Sequence, residues 1–243
     1  MKILLIAGHG DGDSGAIGCG FKEADLTREM VKLIKPYLSK YATVEIADTA
    51  KNWYRYICKN GKSFNFKPYD YVLEVHFNAC VNDTKGNGVT TGTEIYATTS
   101  EKSVTVEQAI VNNISALGLK NRGVKRKNWG VISYIKKQGV SSALLETCFI
   151  DDADDMKIYK SKKNNIAEAI AKGIATGYKL TSKESENVNF KDVPKDHWAY
   201  EAIEYCTEKG YVYGFEDNTF RPNEPVTRAQ LATILRRLEK TNK

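Results

Sequence analysis

The sequence predicts an α/β fold, with a twisted, mostly parallel sheet flanked by helices and a small C-terminal α-helical domain. Within residues 1–181, short apolar runs alternate with amphipathic segments, a pattern typical of a sheet covered by helices. Residues 182–189 are polar and without periodicity, which predicts a linker. Residues 190–243 contain two helical patterns around a loop rich in Gly, Asn, Asp and Pro.

The periodicity of apolar side chains predicts the individual elements. A buried strand is expected at residues 1–7, just before Gly8-His9-Gly10. Further strands are expected at residues 43–47, 71–77, 91–97, 131–135 and 142–149. Helices are expected at residues 24–39, 104–119 and 152–178, the last with isoleucines at positions 166, 170 and 174. Pro36 should kink or end the last turn of the first helix.

The C-terminal segment predicts a helix–loop–helix unit. Its first helix ends at Gly210 and carries Trp198, Ala202, Ile203 and Cys206. The second opens with a capping box of Thr227 and Gln230. It continues with apolar side chains at helical spacing, Leu231, Ile234, Leu235 and Leu238. A unit of about 50 residues is small for independent stability, so we expect it to pack against copies of itself or against the first domain.

The charge of the chain is unevenly distributed. Residues 1–183 contain 27 Lys and Arg against 19 Asp and Glu, whereas residues 184–243 contain 9 against 11. The basic part favours anionic polymers such as nucleic acid, anionic lipid or teichoic-acid-bearing cell wall, or it serves solubility alone. A nucleic-acid partner is disfavoured, because no aromatic platform or reading helix accompanies the basic residues.

Several classes of protein are excluded by composition. Five cysteines at wide spacings, without a Cys-x-x-Cys, argue against a disulfide framework or a thiolate zinc finger. No run approaches the ~20 apolar residues of a membrane span, so we expect no membrane partner. The opening apolar run is too short for a secretory signal. We therefore expect synthesis in the cytoplasm without an export signal.

Two of the three histidines lie at predicted strand ends. His9 follows the first strand, where open α/β sheets gather their ligands; the alternative is a turn histidine without a role. His76 shares one face of its strand with Glu74 and Asn78. Buried polar groups require a partner or a metal ion, although a solvent-facing edge strand also accounts for this pattern.

Two glutamates complete a candidate site. Glu23 lies between a glycine-rich loop and the first helix, where the helix dipole alone favours a carboxylate. Glu146 interrupts an apolar strand, so we expect it to be ion-paired or catalytic. Two histidines and one glutamate with an open fourth position form a catalytic zinc arrangement. A second, non-ligating glutamate then accepts the proton of the metal-bound water.

These residues and their neighbours resemble the zinc-dependent N-acetylmuramoyl-L-alanine amidases of the cell-wall lysin type. The motifs occur in the family's order: Ile6-Ala-Gly-His9-Gly-Asp11, Glu23 with Leu26, His76-Phe-Asn78-Ala, Asn121-Arg122-Gly-Val-Lys125, and Leu144-Leu-Glu146-Thr-Cys-Phe149. The resemblance implies a peptidoglycan hydrolase that cleaves the amide bond between N-acetylmuramic acid and L-alanine with Zn²⁺. It implies His9, Glu23 and His76 as zinc ligands and Glu146 as the catalytic carboxylate.

Further residues follow from the same resemblance. Asn78, Arg122 and Lys125 are candidate substrate contacts, the two basic residues for carboxylates of the peptide; solvated basic side chains are the alternative. Glu74 remains a rival, either replacing Glu23 as a ligand or supporting a ligand from behind. Asp25 is a weaker rival.

The C-terminal segment resembles a single S-layer homology motif, with Phe190-Lys-Asp192-Val-Pro, Phe220-Arg-Pro222 and Val226-Thr-Arg228-Ala-Gln230. The resemblance implies binding of a secondary cell-wall polysaccharide of Gram-positive bacteria. Asp192, Trp198 and Arg228 are the glycan contacts it implies, although Trp198 is favoured as a core residue because aromatics dominate small cores. Such motifs commonly act in threes, and the resemblance covers only one. We therefore expect that the chain forms homo-oligomers, that it binds the glycan weakly, or that the motif serves mainly as a packing unit.

The leading functional prediction is a phage or prophage endolysin of a Gram-positive host, which acts at the cell wall after release. The expected lack of an export signal supports this role. The alternatives are a host sporulation or autolytic amidase, a zinc peptidase that cuts elsewhere in the stem peptide, and a non-catalytic wall-binding protein. The wall chemotype, the oligomeric state and the glycan remain open.

Overall fold

The computed structural model describes residues 1–80, 83–86, 90–182 and 190–241. The chain divides into two compact units, Met1–Leu180 and Thr181–Lys243. The predicted linker lies, apart from Ser182, outside the described residues. Within the described parts, no helix has the length and apolar character needed to cross a membrane.

A six-stranded sheet forms the centre of the first unit. Its strands are Lys2–Ala7 (β1), Thr43–Ile46 (β4), Tyr71–Asn78 (β5), Thr93–Ala97 (β6), Asn121–Arg126 (β7) and Ser141–Phe149 (β8), and a separate short pair is Ile17–Gly18 (β2) with Phe21–Lys22 (β3). The strand order is β4-β1-β5-β8-β6-β7, and β6 runs antiparallel to β8 while the other pairs of this sheet are parallel. The predicted mostly parallel α/β sheet is confirmed.

Helices cover both faces of this sheet. They are Glu23–Ser39 (α1), Thr105–Ser115 (α2), Gly130–Lys137 (α3) and Ala153–Tyr178 (α4), and a π-helical turn spans Arg55–Lys59. The larger core packs α1, α2 and α4 against one face, and the smaller core packs α3 and the π-helical turn against the other. Gly173 and Gly177 bring α4 against α2, since a Cβ at either position would lie 2.5–2.6 Å from backbone atoms of Val106 or Ile110.

One predicted strand is wrong, and one observed strand was not predicted. The segment 131–135 lies within α3 instead of forming a strand, because Val131, Ile132 and Ile135 are buried at helical spacing. Short apolar runs do not distinguish the two. The strand β7 was not predicted, because its sequence is polar and it pairs only with β6 among the described strands. The helix predicted at residues 24–39 is confirmed as α1, with Pro36 in its last turn.

Glu107 makes the stability of the first unit depend on pH. Its side chain is buried on α2 and accepts a hydrogen bond from the Tyr71 hydroxyl at 3.0 Å. Burial raises the pKa of Glu107. A raised folded-state pKa means that stability is lost as pH rises from the ordinary carboxyl range through the folded pKa, because the unfolded chain ionises first.

We therefore expect Glu107→Gln, which keeps an acceptor for Tyr71, to unfold at a higher temperature than the wild type at pH 8. The gain should be about 2–4 °C for each kcal/mol relieved and should vanish near pH 4. Calorimetry at the two pH values measures it. An equal Tm difference at both values would point to packing and contradict the role of ionisation.

The second unit is a small helical domain with helices Tyr200–Glu208 (α5) and Arg228–Thr241 (α6). Its described buried core consists of Phe190, Val193 and Ile203. The capping box is confirmed, since Thr227 N donates to the Gln230 side chain at 2.7 Å and Gln230 N donates to the Thr227 hydroxyl at 3.2 Å.

Several large apolar side chains of this unit are exposed. Leu231 and Leu235 on α6 are 47% and 57% exposed. Trp198 lies before α5 and is 89% exposed, so the preference for a core role is wrong. The ring of Trp198 instead stacks on His197, with centroids 5.8 Å apart.

Candidate active site

His9 lies two residues beyond β1, at the carboxyl end of the parallel strands. Its φ of 62° is left-handed, a conformation that His tolerates better than most residues. Arg28 fixes this loop by donating to the carbonyl oxygens of Gly8 at 2.9 Å and His9 at 3.0 Å. Gly8 leaves room for His76, because a Cβ there would lie 2.3 Å from the imidazole ring. The two imidazoles consequently approach with centroids 5.0 Å apart.

Glu23, the first residue of α1, lies between the two imidazoles. Its Oε2 is 3.0 Å from His9 Nε2, and its Oε1 is 3.0 Å from His76 Nδ1. The backbone N–H groups of Ala16 and Phe77 also donate to this carboxylate, each at 3.0 Å. Burial alone would raise the pKa of Glu23, but hydrogen bonds from His76 and His9 hold it well below its usual range.

The structure brings the three predicted ligands together. One donor atom from each of His9, Glu23 and His76 lies within 4.8 Å of the others, and the described residues contain no other His, Cys, Asp or Glu group of this kind. Beside this group, on the strand next to His76, the buried Oε2 of Glu146 makes no hydrogen bond. Orphaned buried polar atoms are rare unless a ligand or water completes them, so the group fits a metal ion.

Each histidine has a second carboxylate near its other ring nitrogen. His9 Nδ1 lies 3.0 Å from Asp13 Oδ2, and Asn52 donates to the same carboxylate oxygen at 2.9 Å. His76 Nε2 lies 3.3 Å from Glu74 Oε1, within ion-pair range but without the alignment of a hydrogen bond. Carboxylates in such positions orient ligating imidazoles.

The rival carboxylates occupy different positions from Glu23. Glu74 is buried and approaches the ring nitrogen of His76 that Glu23 does not contact. Asp25 is exposed on α1. Glu23 therefore lies between the two imidazoles, and Glu74 lies on the opposite side of His76.

Glu146 lies directly beside His76, because these residues pair across β5 and β8. Burial raises the pKa of Glu146 to about 7; His76 opposes the rise, and the charges of Glu23 and Glu94 add to it. Its Oε2 is buried without a hydrogen bond. A carboxylate with a pKa near neutrality and an uncommitted oxygen is suited to accept and return a proton.

Glu94 is a site residue that was not predicted. It lies on β6 and pairs with Glu146 across the antiparallel junction of β6 and β8. Its buried carboxylate accepts from Asn78 at 3.0 Å, Arg122 at 2.5 Å, Lys125 at 2.6 Å and Tyr96 at 2.8 Å. The three predicted substrate contacts thus converge on one carboxylate. A charged residue within a largely apolar strand was the available signal, as it was for Glu146.

The N-acetylmuramoyl-L-alanine amidase family model matches residues 3–176. This span exceeds half of the chain and contains the ligand group, Glu146 and Glu94. The chain belongs to the N-acetylmuramoyl-L-alanine amidase family.

Similar proteins come from a phage and from bacteria. The endolysin of Bacillus phage SPP1 is 31% identical over 189 residues, which cover 74% of this chain and 67% of the endolysin. An N-acetylmuramoyl-L-alanine amidase of Bacillus subtilis is 29% identical over 73% of this chain and 35% of its own length. This chain therefore spans only about a third of that bacterial relative.

A solved amidase structure shows the same fold. The N-acetylmuramoyl-L-alanine amidase of Nostoc punctiforme superposes with a TM-score of 0.59 at 23% identity. The match covers 74% of this chain and 97% of the solved chain. The amidase fold therefore accounts for nearly the whole first unit.

The second unit contains an S-layer homology domain, whose family model matches residues 189–232. Its predicted glycan contacts differ in their surroundings. Asp192 accepts the backbone N–H groups of Phe220 at 2.8 Å and Arg221 at 2.7 Å, so its carboxylate ties the loop to the start of the unit. Trp198 and Arg228 are exposed. A role of these residues in glycan binding remains a prediction.

Proposed function

We propose that this amidase hydrolyses the bond between N-acetylmuramic acid and L-alanine in peptidoglycan, with zinc as its metal and Glu146 as its proton carrier. One observation carries the proposal: the His9, Glu23 and His76 group lies one strand away from the unpaired oxygen of Glu146. Neighbouring strands are about 4.8 Å apart. Membership of the amidase family supports the choice of bond.

Zinc is the metal that best fits this donor set. Two imidazole nitrogens and one carboxylate oxygen with room for a further ligand form a catalytic zinc arrangement. When bound, zinc supplies a Lewis acid that polarises the scissile carbonyl and acidifies water. His9, Glu23 and His76 would hold it, while Asp13 and Glu74 would keep the two imidazoles oriented.

Glu146 performs the proton transfers in this proposal. Its carboxylate takes the proton of the attacking water and returns it to the nitrogen of the departing L-alanine. A pKa raised by burial to about 7 suits both steps, because the group is then neither too weak a base nor too weak an acid near neutrality. Asn78, Arg122 and Lys125 are proposed to contact the substrate beside it.

The biological role we propose is that of a phage or prophage endolysin that reaches the wall of a Gram-positive host after release. Similarity to the endolysin of Bacillus phage SPP1 over two thirds of its length supports this role. A host sporulation or autolytic amidase is the second candidate, supported by the Bacillus subtilis relative. A non-catalytic role is disfavoured by the assembled ligand group and Glu146.

Mass analysis of digested wall tests the reaction. Zinc-loaded protein should release stem peptides whose new amino terminus is L-alanine, together with intact glycan strands. Peptides that begin with another residue would assign the protein to the zinc peptidases instead. Wall that binds the protein but releases no peptide would support the non-catalytic alternative.

We also propose that the second unit binds a secondary cell-wall polysaccharide through Asp192, Trp198 and Arg228. The exposed Trp198 ring, stacked on His197, offers an aromatic face to a sugar. Co-sedimentation with wall from which the polysaccharide has been stripped measures this contribution. Equal binding of Trp198→Ala and wild type to complete wall would contradict the role of Trp198.

Self-association of chains through this unit is a related proposal. Its described core is small, and Leu231 and Leu235 of α6 are exposed one helical turn apart. Sedimentation of the intact chain should therefore show oligomers that Leu231→Glu dissociates. A monomeric wild type at micromolar concentration would contradict self-association.

A further inference from the structure

Two cations on the strand β7 share one buried anion on the neighbouring strand β6. Glu94 is 2% exposed, whereas Arg122 and Lys125 are 27% and 38% exposed. Both cations bind the same oxygen, Glu94 Oε2, at 2.5 and 2.6 Å. The cluster therefore carries a net positive charge, with the anion underneath and the cations towards solvent.

Aromatic rings fix the positions of both cationic groups. The Arg122 guanidinium lies 4.9 Å from the centre of the Phe149 ring, and Lys125 Nζ lies 5.5 Å from the centre of the Tyr96 ring. Tyr96 is itself anchored, because its hydroxyl donates to Glu94 at 2.8 Å. Cations held between a carboxylate and aromatic faces have little freedom to move, so the cluster is arranged before any substrate arrives.

The cations retain donors for a further anion. Arg122 uses Nε on Glu94 and Nη1 on the Thr91 carbonyl oxygen, at 2.5 and 3.4 Å, and Nη2 has no hydrogen-bond partner among the described residues. Lys125 donates to Glu94 alone within the same described parts. A carboxylate is the anion that a planar guanidinium recognises best apart from phosphate.

The position of Arg122 and Lys125 in the sheet limits where a carboxylate of the bound substrate would lie. Glu94 is one strand from Glu146, and β7, which carries both cations, is one strand further. Strands are about 4.8 Å apart, so the cations stand roughly 5–10 Å from the catalytic carboxylate. An extended peptide advances about 3.3 Å per residue, which places the anion about two residues beyond the scissile amide.

We propose that Glu94 is the positioning residue of a subsite in which Arg122 and Lys125 bind a free α-carboxylate on the second residue of the peptide stem. The inference rests on the proposed cleavage of the muramoyl–alanine bond. In peptidoglycan the second stem residue is linked through its side-chain carboxyl, which leaves its α-carboxyl free or amidated. We therefore expect the amidase to cleave peptidoglycan with a free α-carboxylate at this residue faster than peptidoglycan with an α-carboxamide.

Two substrates test the subsite. N-acetylmuramoyl tripeptides L-Ala-γ-D-Glu-L-Lys and L-Ala-γ-D-isoglutaminyl-L-Lys differ only in the α-carboxylate or α-carboxamide of the second residue. Zinc-loaded wild type should show a kcat/KM about 10- to 100-fold higher for the carboxylate, the range expected for hydrogen bonds between charged groups. The difference should appear mainly in KM, because the subsite does not touch the reacting atoms.

Variants assign the discrimination to the cluster. Glu94→Gln and Arg122→Gln should each lower the carboxylate-to-carboxamide ratio to below about threefold. The ratio cancels any effect that both substrates share, including altered folding or an altered Glu146. Glu101→Gln is the matched control, because Glu101 pairs with Lys136 at 2.9 Å outside this cluster, and it should retain the wild-type ratio.

The outcomes separate this inference from the proposed reaction. Equal cleavage of both substrates by wild type, or an unchanged ratio in Arg122→Gln, would overturn the subsite while leaving the amidase reaction intact. A normal ratio in Glu94→Gln would overturn its positioning role. Failure to cleave either substrate would contradict the proposed reaction, and calorimetric affinities of Glu146→Gln for the same two compounds would then still measure the preference.

Discussion

Replacing Glu146 by glutamine is expected to lower kcat by about 10²–10⁴-fold, the usual contribution of a positioned acid–base group. Glutamine keeps the size of the side chain but can neither take the proton of water nor return it to the leaving nitrogen. Glu146 does not belong to the ligand group of His9, Glu23 and His76. Zinc content, measured by elemental analysis, should therefore remain at the wild-type level.

The control for this substitution is Glu107→Gln, which makes the same change at a buried glutamate of α2 away from the site. It should retain wild-type kcat on a muramoyl peptide. A Glu146→Gln protein that still lyses wall at more than a tenth of the wild-type rate would exclude Glu146 as the proton carrier. Loss of zinc together with activity would instead show that Glu146 serves the metal.

The pH profile tests the same group without a mutation. Burial raises the pKa of Glu146 to about 7, and a cation bound next to it would lower that value. The base works only when ionised, so kcat should fall as pH falls through a midpoint at or below pH 7. An acid limb centred above pH 7 would point to a different group, and residual activity of Glu146→Gln should lack the limb.

Much of the ligand group could be predicted because strand direction constrains it. β1 and β5 are parallel neighbours. His9, just beyond the carboxyl end of β1, and His76, near the carboxyl end of β5, therefore meet at the same end of the sheet. Glu146 stood out because a charged residue interrupts an apolar strand. For His9, His76 and Glu146, the local sequence pattern is therefore enough to predict where the side chain lies.

The cluster around Glu94 could not be predicted in the same way. Its partners Arg122 and Lys125 come from β7, a polar segment with a glycine that has no strand signal of its own. Only pairing with β6 makes this segment a strand and brings its cations over Glu94. The error at 131–135 has a related cause, since a short apolar run fits a buried helix as well as a strand.

In the S-layer homology unit, the sequence pattern does not predict which apolar side chains are buried. Helical spacing of leucines on α6 indicates a face that packs, but it does not say against what. In the single chain Leu231 and Leu235 remain exposed, as does Trp198. The prediction that Trp198 is a core residue assumed that this unit buries its aromatic side chains. The buried aromatic residue of the described core is Phe190 instead.

Replacing one of the three proposed ligands should strongly weaken zinc binding. His9→Asn is the most informative change, because asparagine tolerates the left-handed backbone at this position. Structural zinc sites bind with roughly 10–16 kcal/mol. Divided equally among three protein ligands, this binding free energy is about 3–5 kcal/mol for each ligand. Its loss would lower the zinc affinity roughly 10²–10⁴-fold.

Two further variants make the measurement specific. His197→Asn changes a histidine of the second unit that stacks on Trp198, and it should bind zinc like the wild type. Glu74→Gln leaves all three ligands in place and removes only a carboxylate behind His76, so its affinity should fall by about 10–100-fold. The expected order is therefore wild type and His197→Asn, then Glu74→Gln, then His9→Asn.

Thermal unfolding tests the same order of zinc affinities without an activity measurement. A ligand that binds the folded state raises stability by RT ln(1 + [L]/Kd), so added zinc should raise the Tm of wild type and His197→Asn most. Chelation should remove both this increase and the lysis of wall, and zinc should restore them. If His9→Asn gained as much Tm from zinc as the wild type, the ion would bind elsewhere, and the assignment of His9, Glu23 and His76 would fail even if the amidase reaction stood.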